Sequence, residues 1–299
     1  MPFEFDWVDA FTANPFGGNG CAVVHGAAGL ADEICMAITR ETGLVECTFL
    51  EPSDVADVKV RYFMADREIP FAGHPTVATV ASMVDRGMAG ARTGDAGGLQ
   101  LETGAGVIPI EIAAPEGAAP MVTMTQIRPE FGPEVAPEIV AAVGGLDTAD
   151  IVGMPRVVST GLPFCITVLK DHDALRRAKL DTAALARFRE IAGGELAGVM
   201  EPFWVTLEGA SEAGDTFSRL LLAPPLPGED PFTGSATGAM GAYLWANGLL
   251  KSATFVAEQG HGMGRPGQAQ VEVLGTPEDI SGVRVGGQGY VLMRGYLNL

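Results

Sequence analysis

The sequence predicts an α+β fold of two similar domains, each made of short strands around one buried apolar helix. Three observations carry this reading. Residues 67–82 (REIPFAGHPTVATVAS) and 228–243 (GEDPFTGSATGAMGAY) are related copies. Laid together without gaps they share Glu68/Glu229, Pro70/Pro231, Phe71/Phe232, Gly73/Gly234, Thr76/Thr237, Ala78/Ala239 and Ala81/Ala242. The flanks agree in the same order, and the helix after each copy is almost uncharged.

Before the copies stand Arg61-Tyr-Phe-Met-Ala65 and Arg219-Leu-Leu-Leu-Ala223, each a short strand opened by arginine. After them stand Glu102-Thr-Gly-Ala-Gly106 and Glu258-Gln-Gly-His-Gly262, leading into the β-rich runs 107–112 and 269–273. Two repeats are too few for a solenoid and indicate paired domains. Helices are expected over Thr76–Val84 and Thr237–Leu250, and a helix apolar on every side must be buried all round. Segment 181–192 mixes charge into its pattern as a surface helix does, and 31–41 shows weaker amphipathic character. Strands are expected at 4–10, 21–25, 45–50, 57–64, 164–169, 202–208 and 216–222. Periodicity lapses over the Pro/Gly/Ala segment 113–120, which sets domains of 1–117 and 118–286.

The 299 residues suit two domains, and 40 glycines with 20 prolines suit strands joined by many turns. A formal net charge of −18 repels phosphate backbones and anionic lipids, so neither nucleic acid nor a membrane is an expected partner. No signal peptide and no spanning apolar run is read from the sequence, and the four cysteines (Cys21, Cys35, Cys47, Cys165) form no C-x-x-C pair. Reduced thiols in a cytoplasmic protein are the expectation.

Each copy places small and polar residues before its helix: Gly73-His74-Pro75-Thr76 and Gly234-Ser235-Ala236-Thr237. Pro75 suits a first helical turn, and free N–H groups there attract anions. Two such starts facing one another would hold a carboxylate; ordinary helix capping is the plainer alternative. His74 is expected to titrate near neutrality, while Asp230, before Pro231, fits either an Asx-type turn or a proton acceptor. Glu46 lies in GLVECTFLEPS. On a strand it would share a face with Leu44, Thr48 and Leu50, and partial burial would raise its pKa above about 4.3, toward the range useful for proton transfer. A water-facing glutamate on an edge strand is the alternative.

These residues together resemble the PhzF (phenazine biosynthesis-like) family, within the diaminopimelate-epimerase-like fold. The likeness runs through DAFTANPFGGN (9–19), ETGLVECTFL (41–50), RYFMADREIPFAGHPT (61–76), LETGAGVIPI (101–110), STGLPF (159–164), EDPFTGSATGAMGAYL (229–244) and EQGHGMGRPG (258–267). The resemblance implies two pseudo-symmetric domains, each a β-barrel-like sheet around a central helix, with 287–299 returning to the first. It implies a homodimeric, cofactor-independent isomerase, with no metal, acting on a small-molecule carboxylate. Glu46 would move the proton, with His74 and Asp230 as its catalytic partners. Asn19, Gly73, Pro75, Gly234, Ser235 and Ala236 would bind the substrate.

Related epimerases and racemases of this fold use two cysteines in these loops, which hold none here, so a two-thiol mechanism is disfavoured. Two departures stand out. Gly18-Asn19-Gly20 replaces the family's G-N-P, and valine precedes Glu46 where serine is common. The phenazine substrate is therefore not assumed. An epimerase or dehydratase of a hydroxy or amino acid, or a metabolite-binding protein without turnover, are the other readings. A serine hydrolase fits poorly, because residues 234–238 miss G-x-S-x-G by one place.

Overall fold

The computed structural model describes residues 2–88, 98–113, 119–192, 198–224 and 226–299. The chain forms two compact units, Met1–Met124 with Gly286–Leu299, and Thr125–Val285. The expected boundary between 117 and 118 lies outside the described residues.

The first unit runs β1 (Phe3–Ala10), β2 (Asn19–Val24), α1 (Asp32–Thr42), β3 (Cys47–Glu51), β4 (Val58–Phe63), β5 (Glu68–Ile69), α2 (Gly73–Asp85), β6 (Gly98–Thr103) and β7 (Gly106–Ala113), and β8 (Met121–Gln126) runs from it into the second, which begins at Thr125. The second runs β9 (Glu130–Glu134), α3 (Pro137–Gly144), β10 (Ile151–Ser159), β11 (Pro163–Leu169), α4 (His172–Arg177) and α5 (Thr182–Ala192). It continues through β12 (Phe203–Thr206), β13 (Thr216–Leu221), β14 (Glu229–Asp230), α6 (Gly234–Ala246), β15 (Thr254–Gln259) and β16 (Gly267–Thr276). The last strand, β17 (Asp279–Leu297), passes from the second unit into the first.

The fold is α+β, and the same pairing order occurs twice. In unit 1, β1–β2 is antiparallel, β2–β3 parallel, β3–β4 antiparallel, β4–β6 parallel and β6–β7 antiparallel. In unit 2, β10–β11, β11–β12, β12–β13, β13–β15 and β15–β16 follow in the same alternation. In unit 1, β7 pairs with β8, and β17 pairs with both β1 and β8, which closes the sheet into a barrel.

The repeat is also written in hydrogen bonds. Arg61 grips Glu68 through Nε and a terminal nitrogen at 2.9 and 2.8 Å, and Arg219 grips Glu229 at 2.9 and 2.7 Å. Such forks fix geometry as well as charge. Ser53 Oγ donates to Glu102 at 2.5 Å, and Ser211 Oγ to Glu258 at 2.6 Å.

Each unit wraps a central helix. Every residue from Gly73 to Met83 in α2 is buried, as is all but Ser235 from Gly234 to Leu244 in α6. Small residues make this close packing possible. A Cβ on Gly238 would stand 1.8 Å from Gln126 Oε1, and that side chain donates to the Gly234 carbonyl at 2.9 Å.

Both helices begin three residues earlier than the sequence predicts, because the Ala72 and Thr233 carbonyls already accept from the N–H groups of Thr76 and Thr237. Each ends alike, at a left-handed glycine (Gly87, φ 68°; Gly248, φ 65°) with a closing bond from Met88 to Met83 or Leu249 to Leu244. This is why α6 stops at Ala246 rather than running to Leu250.

Candidate active site

Glu46 does not lie on a strand. The expected strand over 45–50 begins at Cys47, because the exit of α1 occupies the residues before it. Gly43 caps that helix in the left-handed region at φ 68°, and the Leu44 N–H bonds back to Thr42 Oγ1 at 3.3 Å. Glu46 is therefore the last residue of the turn, held next to the parallel register Ala22–Cys47. Leu44 and Glu46 consequently do not share a strand face with Thr48. Glu46 nonetheless keeps a setting with little water, its side chain being 15% exposed.

The turn delivers Glu46 to the first turn of α2. Glu46 Oε2 lies 3.6 Å from His74 Nδ1, and Asn19 Nδ2 lies 3.2 Å from the same nitrogen. Asn19 opens β2 after a strained loop. Phe11 and Phe16 sit at φ 63° and 67°, a region that bulky residues rarely adopt, and Asp9 Oδ2 accepts from the Phe16 N–H at 2.8 Å. Unit 1 thus brings together Asn19, Glu46, Gly73, His74 and Pro75.

Burial pushes the His74 imidazole down to about 3, against a smaller opposite effect from the Gly20 backbone. His74 is therefore neutral at neutral pH, and its Nε2 is buried with no hydrogen-bond partner among the described residues. A neutral ring does not neutralise the Glu46 carboxylate as an ion-pair partner and offers polar atoms beside it. Beneath the same turn, Tyr62 bonds Thr76 Oγ1 at 2.8 Å, and burial raises this phenol with a further push from Glu46.

All four thiols are buried. Burial raises each of them, Cys35 to about 11 and Cys165 to about 12, with Cys21 and Cys47 also raised. Cys47 packs with α1, whereas the next residue, Thr48, bonds Thr79 of α2 at 2.8 Å from the other face of β3. None of the thiols is presented as a thiolate nucleophile.

Unit 2 holds Asp230, Gly234, Ser235 and Ala236 at the start of α6. Asp230 is buried, and its Oδ2 accepts from Thr233 Oγ1 at 2.5 Å. Gln259 donates to the Asp230 carbonyl at 2.7 Å and accepts from the Thr233 N–H at 3.0 Å. Ser235 is half-buried, and its carbonyl accepts from Thr160 Oγ1 at 3.4 Å. Thr233 and Gln259 were not singled out from the sequence, although they stand within E-D-P-x-T-G-S and E-Q-G; spacing alone does not show that they meet.

Strand register equates the two units residue by residue. Asn19, Glu46 and His74 correspond to Pro163, Pro202 and Ser235, so the carboxylate, imidazole and amide of unit 1 have no counterparts at these positions of unit 2. Asp230, Thr233 and Gln259 correspond to Ile69, Ala72 and Thr103. The repeat builds one fold twice and equips each copy differently.

The family model for phenazine biosynthesis-like proteins matches residues 8–295. An uncharacterised isomerase of Salmonella typhimurium is 33% identical, with 95% of each chain covered. The trans-2,3-dihydro-3-hydroxyanthranilate isomerase of Pseudomonas fluorescens is 31% identical, with 98% of each covered. A PhzF-family phenazine biosynthesis protein of Bacillus anthracis superposes with a TM-score of 0.86 at 27% identity over 100% of both chains. The chain belongs to the phenazine biosynthesis-like (PhzF) family, and the enzyme class it shares with these relatives is isomerase. No helix among the described residues is long and apolar enough to cross a membrane.

Proposed function

We propose that this protein is a proton-transferring isomerase of a small unsaturated or cyclic carboxylic acid, with Glu46 as general acid and base. Glu46 takes a proton from a carbon next to an unsaturated system and returns it to another carbon of the same molecule. The reaction is then redox-neutral and needs one group that both accepts and releases the proton. The observation that carries this reading is the Glu46 carboxylate placed 3.6 Å from a histidine that burial keeps neutral. A protonated histidine would compensate the carboxylate and weaken it as a base. The neutral ring instead offers hydrogen bonding to a substrate oxygen as charge develops.

Asp230 and Ser235, at the start of α6, are proposed to contact the substrate. The substrate named for the Pseudomonas fluorescens relative, trans-2,3-dihydro-3-hydroxyanthranilate, is the first compound to try. Incubation in D₂O should place solvent deuterium in the product carbon. Glu46→Gln, folded by circular dichroism, should lower that exchange by about 10²- to 10⁴-fold. Full exchange in this variant would remove Glu46 as the base.

A further inference from the structure

We infer that Gln259 is a positioning residue that, through Thr233, orients Asp230. The polarity of the cluster is fixed by one atom that can only donate. The Thr233 backbone N–H points to Gln259 Oε1 at 3.0 Å, so the other end of that amide is the NH₂ group. This Nε2 donates to the Asp230 carbonyl at 2.7 Å and to Thr233 Oγ1 at 3.1 Å. The Thr233 oxygen is thereby an acceptor from Gln259, and its single hydroxyl proton goes to Asp230 Oδ2, 2.5 Å away. The order of donation is Gln259 to Thr233 to Asp230.

Gln259 is fully buried, and Gly260 after it holds φ 84°. A Cβ on Gly260 would stand 2.6 Å from the Pro231 carbonyl, so this turn lies close against the segment it orients. Three of the four polar atoms that Asp230 and Thr233 bring to this contact are engaged from one amide, which leaves little rotational freedom.

The first unit serves as an internal control. It builds the same strand, turn and helix with Ile69, Ala72 and Thr103 at the corresponding positions. There Gly104 makes the equivalent close approach, its Cβ position 2.9 Å from Pro70 Cα. The fold therefore requires the glycine–proline contact but not the amide, the hydroxyl or the carboxylate. All three differ together between the copies, as expected of groups that act as one device.

The inference rests on Asp230 as a substrate-side group only for its kinetic consequence, so the test has two separable arms. In full-length protein carrying ¹³C-labelled aspartate, the Asp230 carboxyl resonance, assigned with Asp230→Asn, is titrated. Loss of a donor to a carboxylate weakens its ionised form. Thr233→Val should therefore raise the Asp230 midpoint by about one pH unit or more. Gln259→Met should move it the same way, and Thr233→Ser should restore it. A midpoint unmoved in both Thr233→Val and Gln259→Met overturns the inference.

Should those variants not fold, the wild-type protein still decides the question. The Thr233 hydroxyl proton should be a slowly exchanging resonance with a cross-peak to Asp230, and its absence overturns the inference equally. In the second arm, the acidic limb of the deuterium-exchange rate should rise in pH with the Asp230 midpoint. If the midpoint moves and the limb does not, the positioning stands and the reading of Asp230 as a substrate-side group fails.

Discussion

Glu46 Oε2 lies 3.6 Å from His74 Nδ1, and the two side chains do not form an ion pair at neutral pH, because burial holds the histidine near 3. An unfolded chain would bind a proton on His74 near about 6.5. The unfolded state thus takes up the proton first as pH falls, and His74 costs stability across the window from about 6.5 down toward 3. Between pH 6.5 and 5 the loss should be about 2 kcal/mol. His74→Gln removes the titration and should flatten this part of the pH–stability curve, measured by urea denaturation at each pH. A wild-type curve as flat as the variant's would show that His74 is charged in the folded protein.

The thiols supply a second expectation. A thiol raised from 9.0 to about 11, as at Cys35, carries about 100-fold less thiolate at a given pH. Native protein treated with iodoacetamide at pH 7.5 should stay largely unmodified by intact mass, and full alkylation should require denaturant. Cys21→Ala and Cys47→Ala should keep deuterium exchange within a few-fold of wild type. Rapid labelling of either thiol with loss of exchange would favour the thiol chemistry of related racemases over Glu46.

Much of this molecule was legible in its sequence, because the repeat constrains both copies. Central helices were readable from charge-free runs, and the paired motifs showed where each helix begins, at Gly73 and Gly234 to within three residues. What escaped reading has physical causes. The start of β3 is set by how much chain the exit of α1 consumes, and that depends on a left-handed Gly43 rather than on alternation. Strands β9 and β10 and helices α3 and α4 lie outside the repeated segments and carry weak patterns. The buried cluster at the far end of α2 was equally invisible. There Ser82 Oγ donates to Asp6 at 2.6 Å, Arg86 forks onto Asp6 at 2.7 Å through two nitrogens, and His25 lies 2.9 Å from Ser82. Its members are up to 80 residues apart in sequence, so only the closed barrel brings them together.

The Arg219–Glu229 fork should be coupled more strongly than an exposed pair. Both side chains are largely buried, 17% and 14% exposed, and Arg219 also donates to the Leu175 carbonyl at 2.7 Å. A double-mutant cycle with Arg219→Met and Glu229→Gln should give a coupling of about 1–2 kcal/mol. Arg219→Lys should lose most of it, since an ammonium cannot make the fork. A coupling below about 0.3 kcal/mol would mean that the fork adds no more than a surface ion pair.

Gly18 tests how the strained loop sets Asn19. It has φ 51°, and a Cβ there would stand 1.9 Å from the Ala10 carbonyl oxygen, a backbone atom that cannot rotate away. Gly18→Ala should cost about 2–4 kcal/mol and lower deuterium exchange through displaced Asn19 and His74. Asparagine tolerates a left-handed backbone better than most residues, so it separates two causes. If φ alone mattered, Gly18→Asn would be well accepted; because the contact is with backbone, it should be nearly as damaging as alanine. Gly26 provides the comparison, with φ 63° and nothing within 4 Å of its Cβ position. Gly26→Asn should change stability by less than about 1 kcal/mol. Equal tolerance of asparagine at both glycines, by thermal unfolding, would show that the loop relaxes freely and that Asn19 is positioned by something other than this turn.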